Sequence, residues 1–119
     1  MDIRTATTVR RRIAAAHTLT DPLAGTLALA RDEMDEALGV LSDAVDAEES
    51  HVDDLDLTAD SAAGRVQLRA ARAQLESLEE LRAKLEQMHS AIDQAHTYAE
   101  EADGLHESTV EALDAITTT

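Results

Sequence analysis

Apolar residues recur at helical spacing along almost the whole of this 119-residue chain, and few residues interrupt them. The repeat is strictest in residues 71–102, where Gln74 is the one polar residue at a heptad position. The chain has one Pro and four Gly, and Tyr98 is present without any Phe or Trp. Because strands and tight turns depend on residue types that are scarce here, the sequence predicts an all-α fold with an aliphatic core.

Signals for helix ends divide this pattern into four predicted helices within a single helical domain of residues 1–119. Asp21 and Pro22 are typical of a helix start, and Gly104 is typical of a helix stop. The Asp-rich segment 53–60 is expected to form the main turn. The predicted helices cover about residues 2–17, 22–53, 60–103 and 108–117. We expect an antiparallel helical hairpin of the two long helices, with short N- and C-terminal helices completing a three- to four-helix, coiled-coil-like bundle.

Folding the two long helices about that turn places Met34 opposite Leu81. The longer helix then extends past its partner by about eleven residues, roughly 16 Å, and its apolar stripe continues there. In one arrangement the first and last helices fold back over this stripe and bring Arg10–Arg12 near Glu100, Glu101 and Asp103. In the other, because exposed apolar stripes are typical of interfaces, a protein partner or a second copy of the chain covers it. The residues expected to form this interaction surface are Leu85, Met88, Ile92, Ala95, Tyr98, Ala99 and Leu105.

The formal net charge of −15 limits the partners of the chain. Residues 21–60 carry thirteen acids and one base, and residues 91–119 carry seven acids and no base. Phosphates and anionic membranes are bound by clustered Lys and Arg, so we expect no direct binding of nucleic acid and no membrane binding. The charge is compatible with an acidic mimic of nucleic acid, although surface hydration explains it more simply. The run Arg10–Arg12 is expected to balance nearby carboxylates.

Cysteine is absent, which excludes disulfides and thiolate chemistry. No segment resembles a signal peptide or a membrane span, so we expect a soluble, cytoplasmic protein, with export without a leader as the alternative. Glycine-rich phosphate loops, nucleophile elbows and zinc-protease helix motifs are also missing. We therefore expect no catalytic residues, no cofactor and no enzymatic function.

An acid-x-x-His unit occurs twice, seven residues apart, in the third predicted helix. Glu86 precedes His89, and Asp93 precedes His96. Side chains at these spacings lie along one stripe of a helix, and imidazole and carboxylate groups so placed can share a metal ion, as in di-iron helical bundles. The alternative interpretation is that these pairs stabilise an exposed helix face. Metal binding by these four residues is the second functional hypothesis, after a self-associating interaction module.

In length, acidity and hairpin character the chain resembles the secreted WXG100 family of helical hairpins. The family's Trp-x-Gly turn is replaced here by Leu38-Gly39-Val40. The family's tail signal also differs, because Ala102 stands four residues after Tyr98, where the family has an acid. The resemblance implies a helical hairpin that is exported without a leader. It is limited to length, acidity and hairpin character, because neither motif of the family is present.

Overall fold

The computed structural model describes residues 2–117, which form two long α-helices and no strand. Helix α1 spans Ile3–Thr58 and helix α2 spans Ala62–Thr117. The helices form a hairpin joined by residues 59–61. The predictions of an all-α fold and of a helical hairpin are confirmed. The separate short terminal helices are not found, because the segments assigned to them belong to α1 and α2.

The predicted start of a helix at Pro22 is wrong, since α1 runs through Pro22 without a break. A proline in a helix interior removes a backbone hydrogen bond and costs roughly 3 kcal/mol. Packing on both sides offsets this cost: Leu27 is half-buried, and His17 contacts Asp103 of α2. The Thr18 hydroxyl also donates to the carbonyl of Ala14, at 2.9 Å, within the continuous helix.

The predicted helix end at Gly104 is wrong for a similar reason. A glycine ends a helix most effectively in a left-handed conformation, and no residue described here has a positive φ angle. Thr109 lies in the segment predicted to be a separate last helix, and it donates its hydroxyl to the Leu105 carbonyl, at 2.7 Å, within the continuous α2. Farther along, Asp114 forms an ion pair with Arg10, at 2.8 Å, so α2 stays paired with α1.

The turn lies later in the chain than predicted. Residues 53–58 are helical, and Ser61 caps α2 by accepting a hydrogen bond from the backbone amide of Gly64, at 3.0 Å. Leu55 explains the longer α1, because it packs against the buried cluster around Val52. A later turn also shifts the pairing of the helices. The contact of Asp35 with His89, at 2.6 Å, departs from the predicted register by about nine residues, or two and a half helical turns.

The hairpin divides into two compact units, each containing a segment of both helices. The terminal unit consists of Met1–Arg31 and Ala91–Thr119, and the turn unit consists of Asp32–Ser90. The predicted overhang of α2 is not found, because the N-terminal part of α1 accompanies residues 91–117 within the terminal unit, and Arg10 pairs there with Asp114. The chain's own first residues therefore lie beside this part of α2, as in the first of the two expected arrangements.

Few side chains in either unit are shielded from water. In the turn unit Val45 is completely buried, and Val52, Leu68 and Ala71 form a small buried cluster. In the terminal unit only Ala6 and Leu113 are buried apolar residues, among those that the structure describes. No buried polar or charged residue occurs between residues 2 and 117. Two helices bury one narrow seam, so most of the apolar surface lies outside the core.

Candidate functional site

Three potential metal ligands meet in the terminal unit. His17 and Asp21 lie one turn apart on α1, with His17 Nε2 3.6 Å from Asp21 Oδ1. Asp103 of α2 approaches the same nitrogen, with its Oδ1 3.3 Å away. The ligand atoms of the three residues lie within 4.8 Å of one another, and within residues 2–117 this is the one such group of three or more His and acidic residues. We refer to these three residues as the His17 cluster.

A second histidine supports the ring of His17. The rings of His17 and His106 are stacked, with centroids 4.0 Å apart and planes inclined by 8°. Both rings border an open groove of about 500 Å³, which we call the histidine groove. Its lining residues are His17, Asp103, His106, Glu107, Val110 and Glu111. The groove therefore combines two imidazoles with three carboxylates and has no Lys or Arg in its lining.

The predicted metal ligands fall in different units. Glu86 and His89 belong to the turn unit, where Glu86 is 4.0 Å from Arg82 and His89 is 2.6 Å from Asp35. The distance from His89 Nε2 to Asp35 Oδ1 is short, but this buried nitrogen has no hydrogen bond of acceptable alignment. This contact is a close polar contact between the two side chains and not an aligned hydrogen bond.

Asp93 and His96 belong to the terminal unit and contact two further residues there. Asp93 lies 3.7 Å from Arg31, and His96 lies 3.4 Å from Glu100. Each member of the predicted set thus has a separate charged neighbour. Metal binding by Glu86, His89, Asp93 and His96 stays a prediction.

The predicted interaction residues separate into two groups by exposure. Leu85, Ile92 and Ala99, spaced by seven residues, are half-buried, as is Ala95. Met88, Tyr98 and Leu105 are exposed, with 53%, 62% and 70% of their surface accessible. The half-buried residues follow the seam of the hairpin, while the exposed residues remain available to a partner.

An apolar groove in the terminal unit contains several of these residues. It has a volume of about 270 Å³ and lies between α1 and α2. Its lining residues are Thr20, Leu23, Leu27, Ala95, Tyr98, Ala99, Ala102 and Asp103. Helix α2 contributes Ala95, Tyr98, Ala99 and Ala102 to this lining, and α1 contributes Leu23 and Leu27. We call this feature the apolar groove.

Comparison with known proteins shows no matching family, no similar curated protein and no similar solved structure. Neither α1 nor α2, within the described residues, has a stretch apolar enough and long enough to span a lipid bilayer. The two grooves and the His17 cluster are the features of the structure that bear on function.

Sequence reasoning did not identify the His17 cluster, although part of its signal is present in the sequence. His17 and Asp21 are four residues apart, and Asp103 and His106 are three apart, so each pair lies on one helix face. Bringing the two pairs together requires α1 to continue through Pro22 and α2 to continue past Gly104. The sequence signals at Pro22 and Gly104 predict helix ends instead, so the sequence does not predict that these residues meet.

Proposed function

We propose that this protein is a non-catalytic interaction module, a helical hairpin that self-associates through the apolar groove of the terminal unit. Both helices contribute a large, exposed apolar side chain to the lining of this groove. Leu23 of α1 is 51% exposed and Tyr98 of α2 is 62% exposed. Contiguous apolar surface of this kind is typical of protein interfaces.

The apolar surface extends beyond the groove along both helices. Leu19 lies one turn before Leu23 and is 79% exposed, and Leu105 lies two turns after Tyr98 and is 70% exposed. Side chains at spacings of four and seven residues share a helix face, so each helix presents an apolar strip. In a hairpin of two helices, no third helix covers these apolar strips. A helix from a partner would cover them and remove them from water.

A second copy of the chain fits the groove because the surface is complementary to itself. Ala95, Ala99 and Ala102 leave room for a close helix approach, while Leu23 and Tyr98 supply side chains large enough to fill such room. In a two-fold symmetric dimer the same patch faces itself, so large residues of one copy meet small residues of the other. The result would be a four-helix bundle formed from two hairpins.

Binding without catalysis is supported by the form of the grooves. The histidine groove and the apolar groove lie open along the surface of the terminal unit. Small-molecule substrates are usually bound in sites that enclose most of their surface. Open grooves between helices suit an elongated protein partner better.

Sedimentation velocity over protein concentrations up to about 100 µM tests self-association. We expect a monomer–dimer equilibrium that added salt strengthens, because salt screens the repulsion between two chains of charge −15. Tyr98→Lys should raise the dimer Kd about tenfold or more by placing a charge in the interface. Val66→Lys is the matched control, since Val66 is equally exposed, at 62%, but lies in the turn unit.

Tyr98 also provides a direct optical readout of the groove. Because the chain has one Tyr and neither Phe nor Trp, its tyrosine fluorescence reports on this position alone. We expect the emission to change with protein concentration along the same curve as the sedimentation data. A wild-type chain that stays monomeric throughout, or an equal loss of dimer in Tyr98→Lys and Val66→Lys, would contradict the proposal.

A further inference from the structure

Two of the three ligand–ligand distances in the His17 cluster agree with a tetrahedral metal ion, and the third pair of ligand atoms lies within 4.8 Å. Zinc bonds to imidazole nitrogen and carboxylate oxygen are about 2.0–2.2 Å long, so neighbouring ligand atoms of a tetrahedral site lie roughly 3.3–3.6 Å apart. His17 Nε2 lies 3.3 Å from the Asp103 oxygen and 3.6 Å from the Asp21 oxygen. The donor set of one imidazole and two carboxylates also suits zinc and related transition metals.

The surrounding charge favours a cation. Asp21 and Asp103 face one imidazole, and the adjoining histidine groove adds the carboxylates of Glu107 and Glu111. No Lys or Arg lines that groove. A protonated His17 would supply a single positive charge, so the carboxylates around it would remain in excess.

The stacked ring of His106 holds the imidazole of His17 in place. Parallel rings with centroids 4.0 Å apart restrict rotation of His17 while its Nε2 faces the two acids. A ligand whose orientation is fixed before binding loses less conformational freedom when the metal binds. His106 is therefore a positioning residue, and it acts through His17.

We propose that His17, Asp21 and Asp103 form a binding site for a divalent transition-metal ion, with Zn²⁺ as the ion that the distances fit. Two ligands come from α1 and one from α2, so a bound ion cross-links the helices. The three protein ligands leave a fourth tetrahedral position for water. This site has no residue in common with the predicted Glu86, His89, Asp93 and His96 set. It shares Asp103 with the apolar groove, but all three of its ligands come from one chain, so a monomer can bind the ion.

Titration of the full chain with Zn²⁺ after treatment with a chelator tests the site. Calorimetry at a protein concentration where the chain is monomeric should show one ion bound per chain. Co²⁺ provides a second probe, since a tetrahedral site gives it intense visible absorption bands. Zn²⁺ should also raise the melting temperature, because the ion binds only when both helices are in place.

Substitutions within the terminal unit distinguish this site from general attraction to an acidic chain. Asp103→Asn and His17→Gln should each weaken Zn²⁺ binding about tenfold or more by removing a ligand. Glu100→Gln is the charge-matched control, because it neutralises another exposed carboxylate of α2 that lies outside the cluster. His96→Gln tests the predicted alternative site and should leave the affinity unchanged.

Circular dichroism of the metal-free variants shows whether each chain keeps its helices, so a loss of binding can be separated from a loss of fold. Imidazole NMR resonances then identify the ligand among the five histidines, and those of His17 should respond first to Zn²⁺. No Zn²⁺ binding by the wild-type chain at about 100 µM would overturn the proposal. Equal weakening by Glu100→Gln and Asp103→Asn would also overturn it, because the ions would then be held only by the net charge.

Discussion

His17 and His106 stack face to face across the two helices of the terminal unit, with ring centroids 4.0 Å apart. His106→Ala removes this contact, and we expect the free energy of unfolding to fall by about 1 kcal/mol, as for other aromatic pairs. Urea denaturation at about pH 8, above the range in which free imidazole titrates, measures the change.

His51→Ala is the control for this experiment. His51 is exposed and contacts Glu48 of its own helix, at 3.4 Å, so it contributes no contact between helices. Its replacement should change the stability by less than about 0.5 kcal/mol. Equal losses in the two variants would show that the stacked pair has no special stabilising effect.

Val45 and Val40 are a matched pair for testing the core of the turn unit. Val45 is completely buried and Val40 is 66% exposed on the same helix. Val45→Ala should lower the free energy of unfolding by about 1–3 kcal/mol through lost burial and the cavity left behind. Val40→Ala should stay within about 0.5 kcal/mol of wild type. Thermal or urea unfolding compares them, and similar effects at both positions would contradict the described seam.

Gly39 lies in the middle of α1, and a Cβ atom added there would meet nothing within 4 Å. Gly39→Ala should therefore stabilise the chain by about 1 kcal/mol, since alanine restricts the unfolded backbone and favours helix. At Gly64 a new Cβ would lie 3.3 Å from both Ala59 Cα and Ser61 Oγ. Gly64→Ala should therefore stabilise the chain less than Gly39→Ala does, or destabilise it. Melting temperatures of the two variants give the comparison.

Pro22 is an internal residue of α1, so its replacement should strengthen the helix. Pro22→Ala restores a backbone donor and removes a steric clash, and we expect it to raise stability by up to about 3 kcal/mol. Pro22→Gly should raise the stability by about 1 kcal/mol less than Pro22→Ala does, because glycine is a poorer helix former than alanine. If both variants were less stable than wild type in urea, α1 could not be continuous at this position.

Asp2 caps the first turn of α1, and its carboxylate accepts a hydrogen bond from the Thr5 amide, at 2.7 Å. This hydrogen bond lowers the pKa of Asp2 in the folded chain. Because the folded pKa lies below the unfolded one, the capping contribution is present above the unfolded pKa and is lost as the pH falls through the folded pKa. In NMR the Thr5 amide resonance should titrate with Asp2 and become independent of this group in Asp2→Ala.

The general fold is predictable because the aliphatic repeat extends over many turns. The half-buried spacing of Leu85, Ile92 and Ala99 follows directly from that repeat. The helix ends were harder to predict, since the signals at Pro22 and Gly104 are local. In the structure both helices continue through these positions, despite a local preference of about 1–3 kcal/mol against a helix interior.

The candidate site was less predictable than the fold because it depends on pairing between helices. Which residue of α1 lies opposite which residue of α2 can be predicted only when the position of the turn and the register are known. A turn that lies later in the chain changes the partner of every residue. His89 shows this effect: the sequence placed it in a stripe along α2, while the structure places it against Asp35 of α1. The sequence around His17 does not reveal its contacts, since both of its α2 neighbours lie nearly ninety residues away.

The short turn at residues 59–61 affects the order in which the hairpin assembles. Contacts close to the turn, such as that between Asp56 and Arg72, close a small loop and lose little chain entropy. The contact of His17 with Asp103 closes a far longer loop unless the intervening helices are already paired. We therefore expect folding to begin at the turn and to reach the His17 cluster late, so that the ends of the chain open first and most often. A bound ion there would slow that opening and protect the terminal amides from hydrogen exchange.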